Sequence, residues 1–191
     1  LLSQGAESLA LVQEEIIPAL NIVGEGFEKK TVYLPQLLMS AEAAKAAFEA
    51  IKVSVESKNE GTAAVKCPFV LATVKGDIHD IGKNIVRLLL ENYGYAVSDL
   101  GRDVSPEAVC DEVLRMNAPL CGLSALMTTT VPAMAETIAL LREKAPNCKV
   151  VVGGAVLTQE YADKIGADKY AHDAMETVRY AQQILNNGGK Q

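Results

Sequence analysis

The sequence contains no tryptophan, and aromatic residues make up only 5% of its 191 residues. A buried core must therefore come mainly from Ala, Val, Leu and Ile, with Met filling gaps. No apolar run reaches the roughly 20 residues that a membrane-spanning helix needs. The four cysteines form no Cys-x-x-Cys pair, which argues against a zinc site and favours buried free thiols in a reducing compartment. We expect a cytoplasmic protein.

Basic residues are also scarce, since 18 Lys and Arg stand against 24 Asp and Glu, a net charge of −6. Such a chain does not have the positive balance of a nucleic-acid binder, so we expect neither a nucleic-acid nor a membrane partner. Hydrophobic residues at 49% and charged residues at 22% are typical of a globular protein. The first five residues include no initiator Met and no signal-peptide pattern, and we interpret them as a cut end of a longer polypeptide.

The pattern of apolar residues changes near residue 60. Before it, apolar residues recur at helical spacing in two stripes, one from Leu9 to Val23 and one from Leu37 to Ile51. These stripes predict two helices. The polar stretch at residues 55–62 is interpreted as a linker. We therefore predict a helical cap domain over residues 1–60 and a second domain over residues 61–191.

After the linker, short apolar runs alternate with helical segments. Five runs predict strands at residues 69–74, 95–100, 120–125, 149–152 and 168–171, and a helix follows each of them. Continuously apolar strands followed by helices indicate a parallel sheet covered on both faces. The predicted fold class is α/β: a doubly wound, parallel, five-stranded flavodoxin- or Rossmann-like sheet preceded by a small helical-bundle cap. Ligands bind at the carboxyl ends of such strands, which selects the loops at 75–82, 126–130 and 153–155.

The loop after the first predicted strand carries a histidine flanked by acids, in the run Gly76-Asp77-Ile78-His79-Asp80-Ile81-Gly82. The run has neither the glycine pattern of a dinucleotide-binding turn nor that of a P-loop. An imidazole can bind a metal through one nitrogen while the other donates to a carboxylate. From this loop alone, a hydrogen-bonded pair that stabilises the loop and a metal ligand both stay open.

Three motifs together are more specific. The Asp77-Ile78-His79-Asp80-Ile81-Gly82 run is followed after 41 residues by Ser124-Ala125-Leu126 and after a further 26 by Gly153-Gly154. This spacing resembles the Asp-x-His-x-x-Gly, Ser-x-Leu and Gly-Gly signature of the cobalamin-binding module of the methionine synthase family and related corrinoid methyltransferases. The segments 23–27 and 33–37 resemble the helical cap of that family. Its cap is a four-helix bundle, so with two predicted helices we expect part of the bundle to be missing or shortened.

The resemblance implies that His79 is the metal ligand, replacing the dimethylbenzimidazole of cobalamin below the cobalt while the displaced nucleotide tail enters the α/β domain. It implies a catalytic relay of His79, Asp77 and Thr130, with Thr130 where the family has Ser. Phe27 and Leu34 match cap residues that cover the methyl-bearing face of the corrin. This lid must swing aside, which predicts a hinge near residues 57–62. The further cofactor contacts implied are Gly76, Asp77, Ile78, His79, Asp80, Gly82, Ser124, Leu126, Thr128, Gly153, Gly154 and Ala174.

Several of these residues have side chains whose size or polarity suits the implied roles. Gly153 and Gly154 let the backbone approach the tail with no Cβ in the way, and Gly82 lets its loop turn into a helix. The hydroxyl groups of Ser124 and Thr128 can hydrogen-bond the tail. His172 is interpreted as a loop or surface residue.

The resemblance favours a methyl carrier of the methionine synthase type, an enzyme module that uses methylcobalamin to pass a methyl group from 5-methyltetrahydrofolate to homocysteine. Its expected partners are the homocysteine- and methyltetrahydrofolate-binding domains or subunits and a reductive activation domain or protein. The alternatives are a corrinoid protein of a methanol, methylamine or O-demethylase system, an adenosylcobalamin mutase domain, or a cobalamin sensor. A cofactor-free flavodoxin-like module is a further alternative, which the three matched spacings disfavour.

Overall fold

The computed structural model of the protein describes residues 11–57 and 67–188. A π-helical segment, Leu11–Ile16, leads directly into the first α-helix. The elements that follow are α1 (Ile17–Glu28), α2 (Leu34–Ser57), β1 (Pro68–Thr73), α3 (Ile81–Asn92), β2 (Ala96–Asp99), α4 (Pro106–Met116), β3 (Leu120–Ser124), α5 (Val131–Lys144), β4 (Lys149–Gly153), α6 (Gln159–Lys164), β5 (Lys169–Ala171) and α7 (Ala174–Gly188).

The five strands form one sheet in the order β2-β1-β3-β4-β5, and every neighbouring pair is parallel. The chain goes outward from β1 to β2 and then returns past β1 to β3, so the strand order reverses between β1 and β3. In a doubly wound sheet, the crevice beyond the carboxyl ends of the strands at this reversal is where ligands bind. The predicted α/β fold with a doubly wound, parallel, five-stranded sheet is confirmed.

The observed strands begin and end within one residue of the predicted ones. The agreement has a physical cause, because the central strands β1, β3 and β4 are covered on both faces and consist of nearly unbroken apolar residues. Val70, Cys121 and Val150 from these three strands belong to one buried core. Helices on the sheet have clear boundaries too: α4 begins after Ser105, whose hydroxyl accepts from Ala108 N, and ends at Asn117 in the left-handed conformation.

The chain divides into two compact units, one of Leu1–Lys66 with Glu91–Tyr93 and the other of Cys67–Leu90 with Gly94–Gln191. In the first unit, α1 and α2 provide the two helices that the apolar stripes predict. Their buried apolar side chains include Leu20, Leu37, Ala41 and Ala44. The predicted domain boundary between residues 60 and 61, and the predicted hinge beyond Ser57, lie outside the described residues. Within 11–57 and 67–188, no helix has the length and apolar character that crossing a membrane requires.

An ionic cluster fixes the outer strand β5 beside β4. The Asp168 carboxylate accepts hydrogen bonds from Val150 N at 2.8 Å, from Lys149 Nζ at 3.0 Å and from Arg142 Nη2 at 2.5 Å. Burial alone would raise the pKa of Asp168, but these donors and the charge of Arg142 lower it below its usual value. The cluster is therefore held together by an ionised carboxylate.

We expect Asp168→Asn to destabilise the protein in a pH-dependent way. A carboxyl whose pKa is lowered by folding stabilises the folded state above its unfolded pKa, and this contribution disappears as the pH falls toward the folded pKa. The difference in free energy of unfolding between wild type and variant should thus have its largest value at neutral pH and decrease below about pH 4. Urea unfolding at several pH values measures it, and a difference that grows on acidification would contradict the expectation.

Candidate functional site

The site is built around the buried carboxylate of Asp77, which follows β1 at the reversal of strand order. Its Oδ1 accepts from the backbone N of His79 at 2.9 Å and lies 2.8 Å from His79 Nδ1. Its Oδ2 accepts from Leu126 N at 2.7 Å, Met127 N at 3.2 Å and Thr130 Oγ1 at 2.8 Å. One carboxylate therefore joins the loop after β1 to the loop after β3.

These contacts determine the protonation state of Asp77. Burial would raise its pKa, but the hydrogen bonds from the backbone of His79 and Leu126 and from the side chains of His79 and Thr130 outweigh burial and lower the pKa well below its usual range. All the groups around the two oxygens can act as donors. Asp77 is thus held as an anion that accepts hydrogen bonds and donates none.

The ionised Asp77 fixes the tautomer of His79. Because a carboxylate can only accept, the Nδ1 of a neutral His79 must carry the proton that lies between the two side chains. The lone pair of His79 is then on Nε2. Among the described residues, Nε2 makes no hydrogen bond, and the side chain is 45% exposed. The imidazole is therefore held at one nitrogen and available to a metal at the other.

Thr130 is the N-terminal flanking residue of α5, a position where a hydroxyl commonly caps the helix. It makes no side-chain cap, since its backbone is helical rather than extended, and its hydroxyl donates to Asp77. The same oxygen lies 2.9 Å from Met127 O, but the charged acceptor gives the stronger bond. The structure thus brings together Asp77, His79 and Thr130, the three residues of the predicted relay.

Large exposed apolar side chains lie close to the histidine in sequence and in the loop that meets Asp77. Ile78 precedes it and is 60% exposed, Ile81 at the start of α3 is 78% exposed, and Leu126, whose backbone donates to Asp77, is 41% exposed. A cluster of large exposed apolar side chains at a sheet's ligand-binding edge indicates a binding surface. Asp80 and Thr128 lie in the same two loops, and the Asp80 backbone oxygen accepts from Asn84 N.

The structure gives Gly154 a role inside the protein beside the predicted tail contact, and it contradicts the turn predicted for Gly82. A Cβ on Gly154 would lie 1.8 Å from Ala125 O, and its φ of +139° is one that side chains rarely adopt, so close backbone packing inside the protein already requires glycine there. Gly82 lies within α3, its φ is not positive, and nothing lies within 4 Å of its would-be Cβ, so the turn into the helix does not need it. Gly76, with a φ of +84°, is the glycine that turns this loop.

Gly153 differs from its neighbour. A Cβ there would lie 3.4 Å from Ala171 O, which is an ordinary contact, so the fold alone tolerates a side chain. We expect Gly153→Ala to change the free energy of unfolding by less than about 1 kcal/mol. Gly154→Ala should destabilise by about 2 kcal/mol or more, because the backbone of Ala125 must move. Urea unfolding of the two variants compares them directly, and equal stability would contradict this interpretation.

The remaining predicted contacts lie at the same edge of the sheet or in the helical unit. Ser124 ends β3, and its Oγ is 3.0 Å from Thr73 Oγ1. Ala174 is the first residue of α7 and is partly buried. In the helical unit, Phe27 near the end of α1 is partly buried, and Leu34 at the start of α2 is 37% exposed. His172 is exposed, and its backbone N donates to Glu176.

Sequence reasoning missed three residues that hold the His79 loop. Lys83 in α3 is only 3% exposed and pairs with Asp99, while the Asp103 carboxylate accepts from Gly76 N. A signal was available: Asp99 ends β2 and Asp103 lies in the loop after it, at the same carboxyl edge as the selected loops. Within the described residues, no three His, Cys, Asp or Glu side chains group together as a metal site.

Comparison with known families gives two matches on this chain. A B12 binding domain model matches residues 68–179, and a second B12 binding domain model matches residues 1–52. Together they cover both predicted parts of the chain, the helical segment and the sheet with its helices.

Individual proteins resemble the chain over most of its length. Dimethylamine corrinoid protein 1 of Methanosarcina acetivorans is 42% identical over 92% of this chain and 82% of that protein. A cobalamin-binding protein from Desulfitobacterium hafniense has a structure with a TM-score of 0.75, 32% identity and coverage of 86% and 77% of the two chains. A chain of the methanol:cobalamin methyltransferase complex MtaBC from Methanosarcina barkeri has a TM-score of 0.77 and 30% identity, over 94% of this chain and 68% of that chain.

Proposed function

The chain belongs to the B12 binding domain family and its cofactor is cobalamin, and we propose that it is the corrinoid methyl carrier of a dimethylamine-type methyltransferase system. The observation that carries the proposal is His79, with Nδ1 held by the buried Asp77 and Nε2 free to bind a metal. The similarity to dimethylamine corrinoid proteins supports the choice of methyl donor.

The expected assignment to a methionine synthase enzyme is wrong. The relatives at about 40% identity over most of the chain are dimethylamine corrinoid proteins from Methanosarcina species, so neither methionine biosynthesis nor folate and homocysteine partners are supported. The motif could not make this distinction, because a cofactor-binding loop is the same whichever domain supplies the methyl group. In place of those partners, we propose a methyltransferase subunit that takes the methyl group from dimethylamine.

The residues present fit a corrin. A corrin leaves its metal able to take a ligand from the protein, and His79 would supply it, as a single oriented nitrogen at the ligand-binding edge of the sheet. The exposed side chains of Ile78, Ile81 and Leu126 provide an apolar surface around that donor, as a broad and largely apolar ring requires. The protein itself does not require glycine at residue 153, so contact with a ligand is a reason for glycine that the proposal supplies.

When bound, the cobalt supplies the chemistry of accepting and releasing a methyl group, and the protein supplies binding and orientation. His79 would hold the metal through Nε2, and Asp77 keeps the proton of a neutral imidazole on Nδ1. Thr130 and the backbone N–H groups of Leu126 and Met127 keep Asp77 ionised and in place. The exposed side chains of Ile78 and Ile81 would lie against a bound corrin and keep water from that contact.

The other contacts implied by the family resemblance belong to the same proposal. Gly153, Ser124, Thr128 and Ala174 would contact the nucleotide tail, and Phe27 and Leu34 would shield the methyl-bearing face.

Gly153→Ala separates a ligand contact from a folding requirement, because the fold tolerates its Cβ. If the tail passes Gly153, this variant retains its stability and binds cobalamin about tenfold or more weakly, as loss of a well-fitted contact predicts. Unchanged affinity, measured by absorbance titration, would remove Gly153 from the tail site.

The methyl donor can be tested by pairing the cobalamin-loaded, reduced chain with three separate methyltransferase subunits, specific for dimethylamine, monomethylamine or methanol. Each mixture receives its substrate, and the appearance of methylcobalamin on the chain is followed by visible absorption. We expect methylation with dimethylamine and its subunit, and at least about tenfold slower reaction in the other two mixtures, since specificity belongs to the matched pair. Faster methylation from methanol or monomethylamine would contradict the proposed donor.

A further inference from the structure

The segment at the end of β2, residues 99–103, which starts with the last residue of that strand, contacts the chain before His79 and the helix after it. We call residues 99–103 the bracing loop. It belongs to neither of the loops that meet at Asp77, and the family motifs leave it without a role. Its contacts are made by two carboxylates, Asp99 at its start and Asp103 at its end.

Asp103 holds the residues that precede His79. Its Oδ1 accepts from Gly76 N at 2.7 Å, and its own backbone N donates to Asp77 O at 3.0 Å. To do this, Asp103 adopts a φ of +55°, a left-handed conformation that is uncommon outside glycine but that Asp and Asn tolerate better than most residues. The backbone conformation and both hydrogen bonds therefore act on the segment that ends at the axial histidine.

Asp99 holds Lys83, which lies in the first turn of α3, four residues after His79. The Nζ of Lys83 lies 2.5 and 2.6 Å from the two oxygens of Asp99, and the Lys83 side chain is almost completely buried. Gly101 N donates to Asp99 Oδ1 at 2.9 Å, which keeps the carboxylate in place within the bracing loop. A buried ion pair specifies geometry more reliably than it adds stability, because desolvation offsets much of its attraction.

Because the His79 side chain is 45% exposed, packing on its open side contributes little to its position. The orientation of the imidazole ring must therefore be set by Asp77 and by the position of the His79 backbone. A ligand has to be held within about 0.5 Å of its productive geometry to bind a metal well. Resting on the proposed function, we infer that Asp103 and Asp99 are positioning residues that set the His79 loop for ligation of cobalt.

Asp103→Gly tests the inference, because glycine keeps the left-handed backbone and removes only the acceptor for Gly76 N. Asp103→Asn is the conservative partner, since its amide oxygen can accept the same bond. Asn117→Gly is the matched control: Asn117 also has a positive φ, of 47°, but it ends α4 at the opposite, amino-terminal edge of the sheet. Urea unfolding of all three variants provides a separate measure of stability.

Electron paramagnetic resonance identifies the nitrogen that ligates cobalt, using protein labelled with ¹⁵N-histidine and loaded with cobalamin in the Co(II) state. An axial ¹⁵N splits the electron paramagnetic resonance lines in two, whereas the unlabelled nitrogen of dimethylbenzimidazole splits them in three. We expect wild type, Asp103→Asn and Asn117→Gly to give the two-line pattern. Asp103→Gly should show about a tenfold fall in the equilibrium constant for His79 ligation, typical of losing an outer partner of a ligand.

The outcomes distinguish failure of the positioning role from failure of the proposed function. Suppose that wild type and Asp103→Gly both give the two-line pattern at the same intensity. This result overturns the positioning role and leaves the proposed function standing. An equal loss of the pattern in Asn117→Gly also overturns it, because the effect would then follow from general destabilisation. Wild type that binds no cobalamin, or that gives three lines, overturns the proposed axial ligation itself.

Discussion

Replacing His79 by glycine is expected to abolish ligation of cobalt by the protein and to weaken cobalamin binding by about tenfold or more, since even the loss of an outer partner of a metal ligand has effects of this size. The reason is geometric. In the described site, Asp77 holds the His79 ring through Nδ1, and Nε2 has no hydrogen bond and can bind a metal. The fold should survive. Asp77 keeps the donors Leu126 N, Met127 N and Thr130 Oγ1, and water can replace the half-exposed imidazole.

The measurement is a titration with methylcobalamin, followed by visible absorption, for His79→Gly and wild type. His172→Gly is the control, because the chain has two histidines and His172 is exposed away from the relay. The control should reproduce the wild-type spectrum and affinity. A spectral change on binding that survives His79→Gly unaltered would show that the imidazole is not the ligand.

Asp77→Asn is expected to destabilise the apoprotein by about 2–4 kcal/mol, because an amide cannot replace a carboxylate that accepts at both oxygens. Donors face Oδ1 from His79 and Oδ2 from Leu126, Met127 and Thr130. An Asn side chain has one oxygen, so in either orientation its NH₂ group meets donors. The variant should also weaken cobalamin binding, since Nδ1 of His79 loses its charged partner.

Asp80→Asn is the matched control, three residues along the same loop. Within the described residues the Asp80 side chain makes no hydrogen bond or ion pair, so we expect its loss to change stability by less than about 0.5 kcal/mol. Urea unfolding is measured on both variants. Equal effects of Asp77→Asn and Asp80→Asn would mean that the hydrogen-bonded cluster around Asp77 contributes nothing specific.

The fold could be predicted closely because its signals are local. The unbroken apolar runs of β1, β3 and β4 follow from burial on both faces, and the helical stripes follow from one covered side. The grouping of Asp77, His79 and Thr130 came from the family resemblance, and the structure brings the three side chains within hydrogen-bonding distance. Their spacing along the chain gives no such distance by itself.

The rest depended on contacts between distant segments. Nothing local indicates that Gly154 is pressed against Ala125, or that Lys83 is buried beside Asp99, since each contact arises only when the strands align. The methyl donor could not be read from the motifs either. In the proposal, the Asp77 to Gly82 run binds the cofactor, whereas the methyl donor binds to a partner subunit.

The central claim is that His79 replaces the cofactor's own base below cobalt. Its most direct test uses otherwise unlabelled His172→Gln protein carrying ¹⁵N-histidine, so that His79 is the only labelled residue, loaded with cobalamin in the Co(II) state. The account predicts a two-line splitting of the electron paramagnetic resonance signal. A three-line splitting from dimethylbenzimidazole, or no nitrogen splitting at all, would contradict it.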